Sequence, residues 1–179
     1  MKRFVISISI LVAAIAVGIA WHSSVQAEES APMTEAHIAR IRANCVDAQS
    51  TLRQLHASDA LLRVNRGQLY ESISTKLMAP LNSRISLNRL DGVSLVAIAA
   101  TYEGQLTYFR QSYQQYEEAM SQTLKINCMN QPVAFYDSVA DTRAKRKKVH
   151  ESTTALHDTI HNYKSEFDAF AKQFEGAAQ

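Results

Sequence analysis

Cys45 and Cys128 are the two cysteines of the chain. Two are too few for a disulfide scaffold or a Cys-rich zinc module, but they are the number one staple needs. Outside the cytoplasm two such residues pair; the competing reading is two separate buried thiols. His157 and His161 stand four apart, with His150 one heptad before His157. A helical i,i+4 histidine pair can hold a metal. Asp158 stands where a zinc-protease motif places Glu, so that chemistry is not indicated. Exposed flank histidines are the plainer reading, and no cofactor is expected. Arg143, Lys145, Arg146, Lys147 and Lys148 crowd five bases into six positions. Four consecutive helical residues sweep about 300°, so the five cannot all face one way. They read either as a contact for anionic lipid or wall polymer, or as a solvated patch. Tyr102, Tyr108, Tyr113 and Tyr116 could line a sugar or peptide site, but three of the four fall on an apolar seam and read as core. No nucleophile elbow and no phosphate loop occurs. The expectation is a protein that is not an enzyme.

Long helices must position these groups. Thr34, after Pro32, opens the first, with His37 in place of Glu as half of a capping box. Three-four spacing then runs through Ile38, Ile41, Cys45, Ala48, Leu52, Leu55, Asp59, Leu62, Arg66, Leu69 and Ile73. Pro80 lacks a backbone donor and clashes with the preceding turn, so the helix is expected to kink or break between Met78 and Pro80. A shorter piece then runs to about Leu90, closed by Asp91-Gly92. The second long helix covers about 94–125, with Leu95, Ala99, Tyr102, Leu106, Phe109, Tyr113, Tyr116 and Met120 as its seam. The third begins at Pro132, which suits a first turn, and runs to about 175. Its seam includes Phe135, Val139, Thr142, Arg146, Val149, Leu156, Ile160, Tyr163, Phe167, Phe170 and Phe174. Gly176 is a stop. No two-residue alternation of useful length competes. The expected fold is all-α: an elongated antiparallel three-helix bundle with coiled-coil-like seams, over 34–176.

The cysteines test the register. If the first helix breaks near residue 78, Cys45 and Cys128 come level. If it ran unbroken to Leu90, they would be offset by about 12 residues, or about 18 Å. A disulfide needs Cα atoms within about 7 Å, so break and bond support each other. The same register brings Asp59 and Arg146 together across the core, with Tyr113 or Tyr116 nearby. The competing pair is Asp59 with Arg63, four residues on along the same helix. Phe167, Phe170 and Phe174 then cover the connector from Leu81 to Leu95.

The remaining segment is N-terminal. Met1-Lys2-Arg3 is positive, and Phe4 to Trp21 carries no charge. Val25 and Ala27 fit a signal-peptidase site, placing a cut at Ala27/Glu28 and leaving 28–33 as a linker. Uncleaved, residues 4–21 would span about 27 Å and anchor the chain in the membrane. The charges precede the apolar run, so in either case the rest leaves the cytoplasm. Removing Lys2 and Arg3 from 19 bases leaves 17 against 17 acids, so the net charge of +2 belongs to this segment. With 5 Gly and 3 Pro among 179 residues, an all-β chain of tight turns is disfavoured. Nucleic acid is a poor partner for a neutral exported domain without aromatic platforms.

The stretch from His56 to Met78, with Asn88-Arg-Leu-Asp91, Cys128 and Gln131-Pro-Val-Ala-Phe-Tyr-Asp137, resembles uncharacterised exported helical proteins of reduced-genome, candidate-phylum bacteria. The resemblance implies a signal or anchor followed by a helical ectodomain. It implies no activity, cofactor or catalytic residue. The expected role is a cell-envelope structural or protein-interaction module, exported or membrane-anchored, with an envelope protein or anionic envelope surface as partner. An extracytoplasmic chaperone and a metal-binding helical protein are the alternatives. A heptad seam can equally close three helices on themselves or pair one chain with another.

Overall fold

A computed structural model describes residues 33–177, and among these there are helices and no strand. The signal or anchor at 1–27 and most of the 28–33 linker lie outside the described residues. Among the described residues five α-helices follow one another: α1 (Glu35–Ala43), α2 (Cys45–Ser72), α3 (Ala79–Leu87), α4 (Val93–Thr123) and α5 (Pro132–Ala177). A π-helical segment, Ile73–Met78, joins α2 to α3. No helix among the described residues is long and apolar enough to cross a membrane.

Thr34 caps α1, its hydroxyl accepting from the His37 amide. Asn44 (φ −102°, ψ 11°) then interrupts the helix for one residue, a bend the seam pattern did not announce. Of the kink or break expected at Met78–Pro80 the break is absent, and a π-helical segment ends there instead. Backbone from Cys45 to Leu87 stays helical, and the Ala79 amide reaches back five residues to the Ser74 carbonyl. This wider turn directly before Pro80 takes up the space the proline ring needs, so the chain continues where a regular helix would clash.

α3 ends earlier than Asp91-Gly92. Arg89 is left-handed (φ 56°), its amide bonds the Ser86 carbonyl, and the Leu90 amide bonds the Ile85 carbonyl. That is a Schellman closure with arginine where glycine usually sits. Gly92 instead precedes α4 with negative φ, its Cα close against Ile85. The start of α4 is thereby drawn back level with Ile85. Cys128 follows α4 on the turn-rich connector before α5. Cys45 and Cys128 come level although the backbone from Cys45 to Leu87 stays helical.

α4 and α5 pack along their lengths, while α2, the π segment and α3 lie against α4. Tyr70, Met78, Ile85, Leu95, Tyr102, Leu106, Phe109, Leu156 and Tyr163 form the main core. Phe170 packs against it, as do Leu81 and Leu90; Phe167 is 38% exposed, and the Phe174 side chain lies outside the described residues. Cys45, Cys128 and Phe135 close the opposite end. One expected seam fails. Leu62 and Leu69 are 48% and 56% exposed and Arg66 is exposed, while Tyr70 and Ser74 are buried. After Asp59 no residue of α2 is buried until Tyr70, and burial then resumes at Ser74, Met78 and Ile85.

Candidate functional site

Asp59 sits one turn inside the seam change and is 9% exposed. Arg146, from α5, donates Nε to Asp59 Oδ2 at 2.7 Å and a terminal nitrogen to Oδ1 at 3.0 Å. Tyr116, from α4, donates its hydroxyl to Oδ2 at 2.7 Å. Asp59 and Arg146 therefore meet across the core as expected, and of the two tyrosines expected nearby one bonds the carboxylate. Tyr116 rather than Tyr113 bonds Asp59; Tyr113 donates to Glu117 at 3.0 Å. Burial pushes the Asp59 carboxyl up, but the hydrogen bonds from Arg146 and Tyr116 outweigh it and hold it below its ordinary 3.8. Tyr113 is pushed up to about 12 by burial and then by Glu117. Arg63 does not pair with Asp59; its guanidinium lies 4.9 Å from the Tyr113 ring centre.

No Cα of α2 comes within 8 Å of one in α5. Closely packed helices run about 8–10 Å apart at their axes, so α2 is held off α5. Two side-chain struts span the gap. One is Asp59–Arg146; the other is Tyr70 with His157 Nε2, at 2.9 Å. Between them opens a cleft of about 270 Å³. Its floor is Phe109, Tyr113 and Tyr116, and its α2 lip carries Leu62, Arg63 and Arg66. The α5 lip carries Arg146, Val149, His150 and Thr153. The exposed seam positions Leu62 and Arg66 are thus the edge of an opening.

The other expected residues are dispersed. Cys45 and Cys128 form the disulfide, Cα atoms 5.6 Å apart. In the basic run, Lys145 pairs with Asp141, Lys147 with Glu151 at 3.5 Å, and Arg146 with Asp59. Arg143 and Lys148 are exposed, so the five bases do not form one face. His150 lines the cleft, His157 turns to Tyr70, and His161 is exposed. Among the described residues no three of His, Cys, Asp and Glu stand close enough to hold a metal.

Several partners went unread in the sequence. His56 meets Glu117, Arg110 meets Glu71, and Ser74 donates to Glu103. Thr159 donates to Gln105 at 2.6 Å, and Thr123 bonds Thr142 at 2.8 Å. One signal was available. Stepping eleven residues inward from each cysteine leads from Cys45 to His56 and from Cys128 to Glu117, so the disulfide alone predicts that contact. No family model, curated protein or solved structure matches this chain.

Proposed function

We propose that this is an exported, non-catalytic helical module of the cell envelope, an elongated antiparallel three-helix bundle that binds a partner. The observation that carries the reading is the buried Cys45–Cys128 disulfide, which closes the two ends of the hairpin made by α2–α3 and α4. Structural disulfides belong to oxidising compartments. The uncharged run from Phe4 to Trp21 supports the same destination. A binding role is supported by the arginine-lipped cleft. The partner is an envelope protein or an anionic component of the envelope.

Fractionation of cells expressing the full chain, with and without detergent, tests this reading. The chain is expected in the extracytoplasmic fraction, with the disulfide formed before lysis as shown by alkylation under acid quench. A cytoplasmic chain with two free thiols would refute it.

A second reading has its own observation. Leu61, Leu62, Val64, Leu69 and Leu77 are each about half exposed or more. Contiguous exposed apolar surface is what a client-holding chaperone presents. Suppression of aggregation of a reduced, unfolding client protein would favour it. In that case Leu62→Ser together with Leu69→Ser abolishes protection.

A further inference from the structure

We infer that the cleft between α2, α4 and α5 binds a phosphate monoester carrying a flat apolar body. Charge comes first. Arg63, Arg66 and Arg146 face the cleft against one carboxylate, Asp59, so its lining carries a formal excess of two positive charges. A phosphate monoester carries about −1.5 to −2 at neutral pH and neutralises that excess. Donors come second. Arg146 spends two of its five N–H groups on Asp59 and its side chain remains 49% exposed. Among the described residues neither Arg63 nor Arg66 makes a hydrogen bond or ion pair; Arg63 lies over the Tyr113 ring by its face, which leaves the N–H groups at its edge unspent. Guanidinium forks match phosphate oxygens two at a time. Shape comes third. The Leu62 and Val149 side chains on the two lips give the apolar part of the ester a surface to lie on, above a floor that includes the edge of the Phe109 ring. About 270 Å³ has room for one small aromatic ester rather than a polymer.

The Asp59–Arg146 pair serves two ends in this site. It orients one guanidinium toward the opening, and it keeps α2 from collapsing onto α5. The inference deepens the reading of the chain as a binding module. The two fail separately: location is read in cells, whereas the ligand is read on purified chain.

Isothermal titration of the oxidised full chain with phenyl phosphate tests it, beside inorganic phosphate, benzoate and benzylamine. Phenyl phosphate is expected to bind at one site and more tightly than the other three. Benzylamine, matched in ring but opposite in charge, should not bind. Arg66→Ala is expected to weaken phenyl phosphate about tenfold, the loss of one charge-assisted contact, with unchanged circular dichroism. Arg63→Ala should do the same. Raising salt should weaken binding in the wild type more than in either variant. Cosedimentation with phosphatidic-acid vesicles, compared between wild type and Arg66→Ala because residues 4–21 insert equally in both, distinguishes the source: vesicle binding that falls in the variant marks a lipid headgroup, and vesicle binding equal in both marks a soluble ester. Absence of saturable phenyl phosphate binding, equal binding of benzylamine, or wild-type affinity in both arginine variants would overturn the inference.

Discussion

Asp59 accepts three hydrogen bonds and is nearly enclosed, so its charge is tolerated only because Arg146 and Tyr116 face it. Removing it leaves Arg146 without its carboxylate. For a fully buried pair that costs about 3–5 kcal/mol. Arg146 is half exposed and water takes over part of the interaction, so Asp59→Ala is expected to cost about 2 kcal/mol in urea unfolding. The pH dependence follows in sign. A carboxyl held below its unfolded value adds stability above that value and loses it as pH falls through the folded pKa. For Asp59 the loss begins near pH 4, at about the unfolded value. Asp59→Asn should therefore flatten the drop in urea midpoint between pH 5 and pH 2 relative to wild type. An equal drop in both would place the acid sensitivity elsewhere. Sequence spacing made Asp59 and Arg146 legible as a layer because both interrupt apolar seams. The choice of Tyr116 over Tyr113 was not legible, since it turns on a rotation of α4 smaller than one seam position.

Glycines and caps carry the predictions at the scale of elements. Gly67 and Gly104 lie inside α2 and α4 with nothing within 4 Å of an added Cβ. Alanine at either should stabilise by about 0.5–1 kcal/mol, read as a raised thermal midpoint. Gly92 is the opposite case. An added Cβ would stand 2.4 Å from Ile85 Cγ2, a branch of a buried side chain that cannot swing clear without a new rotamer. Gly92→Ala should cost about 1–3 kcal/mol. Arg89 holds the left-handed position of the α3 closure, where a Cβ costs about 1–2 kcal/mol, so Arg89→Gly is expected to stabilise by about 1 kcal/mol. The sequence showed Asp91-Gly92 as the turn because glycine is the usual left-handed residue. It could not show that arginine takes that role while Gly92 is needed for its missing side chain. The continuous passage through Pro80 was hidden for a related reason. A proline reads as a stop against a regular helix, and the wider turn that admits it leaves no mark in hydropathy.

The disulfide and the offset of α2 act on the whole molecule. Cys45 and Cys128 are 83 residues apart, so the bond removes much freedom from the unfolded chain. Reduction, or Cys45→Ser with Cys128→Ser, is expected to lower stability by about 3–5 kcal/mol in urea unfolding at neutral pH. Little change would show that the bundle ends are held by packing of Phe135, Ile41 and Val139 alone. The helical class and the pairing of the cysteines were readable from period and count. The opening between α2 and α5 was not. It depends on the distance between two helices that never touch through their backbones, and on the stretch of α2 between Asp59 and Tyr70 that buries no side chain. Both place Arg63 and Arg66 on a lip rather than in a core.

That lip is where the account is most exposed to test. The arginine Nε–H resonances of the oxidised, isotope-labelled chain can be followed during a phenyl phosphate titration. The account predicts that the signals of Arg63, Arg66 and Arg146 move together along one saturation curve while those of Arg40, Arg53 and Arg84 stay in place. Shifts spread evenly over all arginines, or none at Arg63 and Arg66, would contradict it.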